Sequence, residues 1–184
     1  MNEAMTLSLT LHPESRCDAL GAIEVEAARE GQTLRLLYVA RGAIGDLAVP
    51  EPAAPERADG LWRHTCFEAF VRAPGCAAYE ELNFSPSGRW AAYRFEDYRQ
   101  GMNLAALALE IEARRTAERL ELLARVHVPL PGPWRVGLSA VIEERSGRKS
   151  YWALAHPPGA PDFHHGDSFA LELPAAPAHP SPRT

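Results

Sequence analysis

The stretch that decides the fold is residues 107–128, which reads LALEIEARRTAERLELLARVHV. Its many Leu, Ala, Glu and Arg residues favour an α-helix by intrinsic propensity. Its hydrophobic pattern favours a different structure, because apolar side chains recur at every second position on both sides of a polar centre. This period of two is typical of a half-buried β-strand, whose side chains alternate between two faces. We therefore predict a β-hairpin that turns near residues 115–118, with a helix as the alternative.

The same alternation continues along most of the chain. Ile23, Val25 and Ala27, for example, alternate with glutamates, as expected for a strand with one buried face. The sequence SPSG at residues 85–88 predicts a tight turn between two strands, because Pro fixes φ and Gly tolerates an unusual backbone. The pattern predicts further strands at residues 7–11, 34–38, 66–71, 79–84, 89–95, 136–142, near 152 and at 169–173. Ten or more short strands without intervening helices predict an all-β fold, an antiparallel β-sandwich.

The length and composition indicate one domain with a sizeable core. The chain has 184 residues, 46% of them hydrophobic and 23% charged, which excludes wholesale disorder. We assign residues 1–173 to a single β-sandwich domain. Residues 41–60 carry three prolines and are predicted to form a long rim loop. Residues 174–184 contain four prolines and no hydrophobic side chain larger than alanine, so we expect a disordered tail.

The net charge limits the kinds of partner that the protein can bind, and the cysteine content indicates its cellular compartment. The formal net charge is −5, whereas phosphate binding needs a surplus of Lys and Arg, so we expect no nucleic-acid partner. No apolar run approaches the roughly 18 residues of a membrane-spanning helix, and the first residues lack a signal-peptide pattern. The cysteines, Cys17, Cys66 and Cys76, match no metal spacing. We predict reduced thiols, a cytoplasmic location and no membrane partner.

The sequence lacks the signatures of common enzyme classes. It contains no G-x-S-x-G, H-E-x-x-H, P-loop or G-x-G-x-x-G pattern. Glu80 and Glu81 are adjacent on a predicted strand and so are Glu143 and Glu144, which places the members of each pair on opposite faces. Neither pair can then act together on one glycosidic bond. We therefore predict no catalytic residues and no enzymatic activity.

Three polar or aromatic residues on or beside predicted strands are candidates for ligand binding. Trp62 follows the Pro-rich stretch, where its indole either offers a face and an N–H donor to a ligand or packs beneath its own loop. Glu68 interrupts an apolar strand, and a buried carboxylate needs either an open cavity or a donor such as Arg63 or Arg89. Asn83 lies on the neighbouring predicted strand, where its amide either binds a ligand hydroxyl or satisfies a loop carbonyl.

The segment 156–167 is rich in imidazoles and carboxylates. It holds His156, His164, His165 and two aspartates, but their spacing matches no standard metal site, so we predict no bound metal ion. The segment is predicted to be either the rim of a ligand site or a solvated loop.

Two segments resemble the superfamily that contains DOMON domains and family 9 carbohydrate-binding modules. Residues 61–71 read LWRHTCFEAFV and place a Trp before a strand that carries a Glu, and residues 79–88 read YEELNFSPSG. Residues 150–154 and 169–173 are similar to the closing strands of that superfamily. The resemblance covers about residues 20–173 and is nearest to a group of stand-alone bacterial DOMON-like proteins.

The resemblance implies a jelly-roll β-sandwich with a ligand site at one end. Trp62 falls at the first sugar-stacking aromatic of the family, Glu68 at its carboxylate and Arg89 near its arginine donor. The second aromatic falls in the last long loop, where Phe163 or His164 replaces the family's Trp. The calcium-binding loops of the family are not evident in this chain.

These observations lead to one main hypothesis of function and two alternatives. The main hypothesis is a non-catalytic domain that binds a small carbohydrate, a sugar or sugar derivative, through Trp62, Glu68, Asn83, Arg89, Phe163 and His164 without a cofactor. The first alternative is a heme b carrier in which Met102 and one of His156, His164 and His165 are the axial ligands. The second is a protein-interaction domain whose partner is unknown.

Overall fold

A computed structural model describes residues 4–175, which form twelve β-strands and three short 3-10 helices. The strands are β1 (Met5–Leu11), β2 (Leu20–Glu30), β3 (Thr33–Gly42), β4 (Cys66–Arg72), β5 (Tyr79–Phe84), β6 (Trp90–Phe95), β7 (Asn103–Leu104), β8 (Leu109–Arg115), β9 (Arg119–His127), β10 (Trp134–Glu143), β11 (Lys149–Ala153) and β12 (Leu171–Leu173). The 3-10 helices are Ile44–Asp46, Leu61–Arg63 and Gly166–Ser168. No helix in this described part is long and apolar enough to cross a membrane.

The strands form one antiparallel sheet with the order β7-β6-β5-β4-β10-β11-β1-β2-β3-β9-β8. The short strand β12 pairs with β10 beside this path. The prediction of an all-β antiparallel fold with at least ten strands is confirmed. Strands β7 and β8 lie at the two edges of the sheet.

The sheet curls, so that its two halves face each other across one apolar core. Buried side chains of β2, β3 and β9 join those of β4, β5 and β10 in a single cluster. The rings of Tyr38 on β3 and Phe67 on β4 lie 4.9 Å apart between centroids. The Tyr38 hydroxyl donates a hydrogen bond of 2.7 Å to the backbone oxygen of Glu68. This contact fixes the strand that carries Glu68 against the opposite half of the sheet.

Residues 107–128 form the predicted hairpin, and the helix alternative is wrong. Strands β8 and β9 are antiparallel, with Arg115 opposite Leu120, and they turn at residues 116–118. Leu120 and Leu122 are buried, whereas Arg125 and His127 on the same strand are exposed. Burial of alternate side chains against the core outweighs the helical propensity of the composition.

The remaining strand predictions are confirmed with two differences. Phe169 follows the last 3-10 helix and precedes β12, so the final strand is shorter than predicted. Strand β7 was missed because its two residues are both exposed and carry no alternation. The SPSG turn joins β5 to β6 as predicted, with the Ser85 amide bonded to the Arg89 carbonyl at 2.9 Å and Gly88 at φ 95°.

The Pro-rich stretch lies along the turn between β5 and β6. The Ala53 amide donates to the Ser87 carbonyl, and the Ala58 amide donates to the Trp90 carbonyl. Most of the predicted disordered tail, residues 176–184, lies outside the described residues. The three cysteines are free thiols, with Cys66 buried in the sheet.

Tyr38→Phe is expected to lower the free energy of unfolding by about 1–2 kcal/mol, because it removes a buried hydrogen bond that joins the two halves of the sheet. Urea unfolding followed by fluorescence measures this change. Tyr151→Phe is the matched control, because the Tyr151 hydroxyl makes no hydrogen bond within residues 4–175. Equal stability of both variants would contradict the role given to the Tyr38 hydroxyl.

Candidate functional site

The half of the sheet made by β6, β5, β4, β10 and β11 is covered on both faces. On β4, Phe67, Ala69 and Val71 face the main core, whereas Glu68 and Phe70 face the other side. A second apolar cluster covers that side, and its large members are Phe70, Tyr79, Tyr93, Phe95, Phe163 and Phe169. Burial of both faces explains why β4 is apolar at almost every position.

Two loops close over this second face. The segment between β6 and β7 carries Tyr98 and Arg99, and the segment between β11 and β12 carries Asp162. The Asp162 carboxylate accepts hydrogen bonds from the Tyr98 hydroxyl at 2.5 Å and the Arg99 guanidinium at 2.9 Å. It also accepts one from the His164 backbone amide at 3.1 Å. Asp162 therefore joins the two loops.

The charge state of Asp162 follows from these contacts. Burial alone would raise the pKa of its carboxyl, but the hydrogen bonds from Tyr98 and Arg99 outweigh burial and hold the pKa below its usual value. Asp162 is therefore an anion at neutral pH, and Arg99 is its ion-pair partner.

A cavity of about 390 Å³ lies between the loops and the sheet. This volume is within the roughly 300–1,000 Å³ range of small-molecule sites. The aromatic rings of its wall come from four separate elements, and the polar groups are confined to a few positions. Its lining comprises Trp62, Glu68, Glu81, Tyr93, Phe95, Arg99, Met102, Val141, Tyr151, Pro161, Phe163 and His164.

The cavity lies over the face of the sheet, whereas the resemblance implied a site at one end of the fold. Glu68, Glu81 and Tyr93 line it from the middle of β4, β5 and β6. The reason is the course of the chain after β11, which crosses this face before it enters β12. Phe163 of that segment packs against Tyr151 of β11, with 6.2 Å between ring centroids.

Glu68 is the centre of a buried polar row beneath the cavity. Asn83 on β5 and Ser139 on β10 lie directly opposite Glu68 on its two neighbouring strands. Directly opposite residues share a face and have Cβ atoms about 5 Å apart. All three side chains are buried, and Glu68 Oε1 and Asn83 Oδ1 have no hydrogen-bond partner among the described residues. The Ser139 hydroxyl lies close enough to the Glu68 carboxyl to oppose part of the rise in its pKa.

Glu81 is the second carboxyl of the cavity and lies two residues before Asn83 on the same face of β5. The Asn83 amide donates to Glu81 Oε1 at 2.9 Å, and His164 Nε2 is 3.6 Å from Glu81 Oε2. Burial raises the pKa of Glu81, although the Asn83 amide and the Arg99 charge partly oppose this. Burial also raises the pKa of Glu68 well above its usual value, and the negative charge of Glu81 adds to the effect.

His164 is a neutral imidazole at physiological pH. Burial lowers its pKa to about 4, and the positive charge of Arg99 contributes to the shift. The Tyr79 hydroxyl lies 2.7 Å from His164 Nδ1 and accepts a hydrogen bond from the Arg99 backbone amide. The hydroxyl proton is thus available to Nδ1, and we infer that the imidazole proton resides on Nε2, facing Glu81.

The structure brings together four of the six residues that the sequence assigned to a ligand site. Trp62, Glu68, Phe163 and His164 line the cavity, and Asn83 lies beneath it, bonded to Glu81. Trp62 stands at the mouth with 43% of its surface exposed. Its ring is held by edge contact with Tyr93, at 6.4 Å between centroids.

Arg89 does not line the cavity, contrary to our expectation of a shared site. It precedes β6 at the SPSG turn, and its guanidinium pairs with Glu56 of the Pro-rich stretch at 2.9 Å. The arginine that lines the cavity is Arg99, in the loop beyond the same strand. Both arginines adjoin β6, and the sequence does not indicate which end of the strand adjoins the cavity.

Sequence reasoning also missed Glu81, Tyr93 and Tyr151. The signal for Glu81 was its spacing of two from Asn83, which places both side chains on one face of a strand. Glu80 faces away from Glu81, as predicted, and pairs with Arg94 at 2.6 Å. The carboxyl that does share the cavity with Glu81 is Glu68, on the adjacent strand.

Of the four candidate heme ligands, the structure brings two to the cavity. Met102 and His164 both line the cavity, but the two ring nitrogens of His164 face Tyr79 and Glu81. His156 lies elsewhere and contacts the Thr10 carbonyl at 2.8 Å, and His165 accepts from the Asp167 amide. Within residues 4–175 no group of three His, Cys, Asp or Glu side chains is arranged to hold a metal ion.

Comparison with known proteins gives similarity at the level of structure. No family model matches the sequence, and no curated protein sequence matches it significantly. A proposed carbohydrate-binding protein from Bacteroides uniformis is similar with a TM-score of 0.65 and 14% identity, over 90% of this chain and 84% of that protein.

Two further similar structures are of a family 9 carbohydrate-binding module from Caldicellulosiruptor kristjanssonii. The complex with cellotriose has a TM-score of 0.54 and 11% identity, over 95% of this chain and 89% of the module. The complex with glucose has a TM-score of 0.53 and 11% identity, over 92% of this chain and 84% of the module. At these identities the comparison shows a shared fold.

Proposed function

We propose that this chain is a non-catalytic carbohydrate-binding domain whose site is the cavity between Asp162 and the sheet. The observation that carries the proposal is an aromatic-walled cavity over a buried polar row whose acceptors lack partners. Apolar walls with a few convergent polar groups are typical of small-molecule sites. The fold is shared with a module that has been solved with glucose and cellotriose, which supports a sugar as the ligand.

The cavity supplies both kinds of contact that a sugar needs. Trp62 offers an exposed indole face to the C–H groups of a pyranose ring, and Tyr151 and Phe163 provide aromatic surface across the cavity. Glu68 and Glu81 then accept hydrogen bonds from hydroxyl groups. Hydrogen bonds to such groups orient the ring, whereas stacking supplies contact area.

Trp62→Ala is expected to weaken sugar binding by about 1 kcal/mol through loss of the stacking surface. Isothermal titration with a panel of mono- and disaccharides measures the change. Trp62→Phe is expected to retain most of the affinity because it keeps an aromatic face. Arg89→Ala serves as a second control, because Arg89 lies outside the cavity, and equal losses in Arg89→Ala and Trp62→Ala would contradict the proposed site.

We also propose that the curled sheet is a jelly-roll β-sandwich and that the chain belongs with the DOMON-like proteins. The core shared by both halves of the sheet supports the first proposal. The segments 61–71 and 79–88, which supply Trp62, Glu68 and Glu81 to one cavity, support the second. A cytoplasmic location is proposed with them.

The presence of Glu68 and Glu81 in one cavity makes glycoside hydrolysis the main competing function, since such enzymes use two carboxyl groups. We expect no release of nitrophenol from nitrophenyl glycosides. Turnover that is lost in Glu68→Gln would contradict the non-catalytic assignment.

Two other functions are distinguished by simple measurements. A Soret band in the absorption spectrum of the purified protein would favour heme b, and we expect none. The absence of both a Soret band and any fluorescence response to the sugar panel would favour a protein-interaction domain.

A further inference from the structure

The cavity contains two buried carboxyl groups and no cation that pairs with them in the described chain. Glu68 and Glu81 both line it, and neither has an Arg or Lys side chain within ion-pair distance in the described chain. The one arginine in the lining, Arg99, is bound to Asp162. His164 is neutral at physiological pH because burial lowers its pKa to about 4. No charge of the described residues therefore neutralises the two carboxyls by direct pairing.

We propose that the ligand is a sugar that carries a protonated amino group, with its ammonium placed against Glu68 and Glu81. This inference rests on the proposed function and names the chemical class of the sugar. It is carried by the buried Glu68 side chain, which is 3% exposed, lines the cavity and has an unpartnered oxygen, Oε1.

An ammonium group matches the acceptors at the floor of the cavity. It has three donors and no acceptor. The groups at the floor are the two carboxyls, and Asn83 Oδ1, an acceptor that also lacks a partner among the described residues, lies beneath them. A sugar hydroxyl can donate a single hydrogen bond and brings no charge, so it does not offset the cost that burial places on an ionised carboxyl group. A cationic ligand supplies the missing charge.

The walls of the cavity favour the same chemistry. Aromatic rings attract cations through their negatively charged faces, and this attraction increases when the cation is removed from water. Tyr93, Phe95, Tyr151 and Phe163 line the cavity around the carboxyls. A site that only stacked its aromatic side chains on a neutral sugar ring would not require two buried carboxyl groups.

The test compares sugars that differ in charge at one position. Glucosamine, galactosamine and mannosamine are titrated calorimetrically beside their parent hexoses and their N-acetyl derivatives, which keep the nitrogen but lose the charge. We expect at least one amino sugar to bind more tightly than both neutral counterparts by about tenfold or more, and the preference to shrink at high salt.

Variants of the chain link the preference to the two carboxyls. Glu68→Gln combined with Glu81→Gln is expected to remove the preference for the amino sugar, so that the charged and the neutral sugars bind this variant with similar affinity. Glu80→Gln is the matched control, because Glu80 adjoins Glu81 but pairs with Arg94 on the other face, and it is expected to leave the preference unchanged. Circular dichroism verifies that all variants fold.

The possible outcomes separate the two proposals. Neutral hexoses that bind as tightly as every amino sugar would overturn the inference and leave the proposed function standing. A preference that persists in the double variant would also overturn it. Absence of binding by every sugar, charged or neutral, would overturn the proposed function itself.

Discussion

Glu68→Gln is expected to stabilise the protein and to weaken ligand binding, each by about 1–3 kcal/mol at about pH 8. Burial raises the pKa of Glu68 well above its usual value, and the charge of Glu81 raises it further. The folded protein therefore binds this proton more tightly than the unfolded chain. The associated stability is complete at low pH and is lost as pH rises through the raised pKa. The amide removes this penalty and also removes the charge that the ligand uses.

Urea unfolding of both proteins at about pH 5 and about pH 8 measures the effect. The stabilisation by Glu68→Gln is expected to be larger at the higher pH. The pKa of His164 is lowered to about 4, so the stability that its neutral form contributes is lost as pH falls below the usual histidine range. His164 therefore makes the free energy of unfolding depend on pH with the opposite sign. This contribution is common to both proteins and cancels in their difference, to the extent that the two sites do not interact.

The alternative for Glu68 is a structural role, and it predicts the reverse result. A variant that is less stable than the parent protein at both pH values would show that the carboxylate holds the fold together. Glu80→Gln is the control, because Glu80 makes an ion pair with Arg94 outside the cavity. It is expected to change stability less than Glu68→Gln does, because its partner Arg94 is half exposed to solvent.

Asp162→Ala is expected to lower the free energy of unfolding by about 3 kcal/mol and to abolish measurable sugar binding. The substitution removes the acceptor of Tyr98, Arg99 and the His164 amide, and hydrogen bonds to a charged group are worth about 1.5–3 kcal/mol each. Because these bonds join the two loops over the cavity, the wall that carries Phe163 loses its anchor. Thermal unfolding and calorimetric titration measure the two effects.

The pH dependence provides an internal check on Asp162. Its lowered pKa means that its stabilising contribution is present above the usual aspartate pKa of 3.8 and is lost as pH falls through the lower folded value. The difference in stability between the parent and Asp162→Ala should therefore narrow in acid. Asp167→Ala, in the same segment, is the control because its carboxylate contacts only the exposed His165 at 3.6 Å among the described residues. Equal losses in both variants would contradict the anchoring role.

Local patterns determine the strands, and they were predictable for that reason. In residues 107–128 the alternation was strong enough to overrule helical propensity, since a shift of one residue would expose every core side chain. Glu68 could be singled out by the same logic, because one carboxyl in an apolar strand requires an explanation. The alternation also placed Glu80 and Glu81 on opposite faces.

The set of residues that line the cavity depends on which strands become neighbours. It could therefore not be predicted from any single segment of the sequence. The pairing of β4 with β5 and β10 brings Asn83 and Ser139 beside Glu68. The course of the chain after β11 places Phe163 over the sheet face. Arg99 lies in a loop with no periodic pattern, so nothing local distinguished it from Arg89. The candidate site was therefore predictable in its strand residues and not in its loop residues.

The most direct test of the proposed site is a ¹H–¹⁵N correlation spectrum recorded during titration with glucose and with glucosamine. The Trp62 indole signal, assigned by its absence in Trp62→Phe, should shift together with the backbone signals of Tyr151, Phe163 and His164. The indoles of Trp134 and Trp152 are bonded internally to the Leu130 carbonyl and the Ser150 hydroxyl and should not respond. Shifts confined to the Pro-rich stretch around Arg89, or no shifts with any sugar, would contradict the cavity as the binding site.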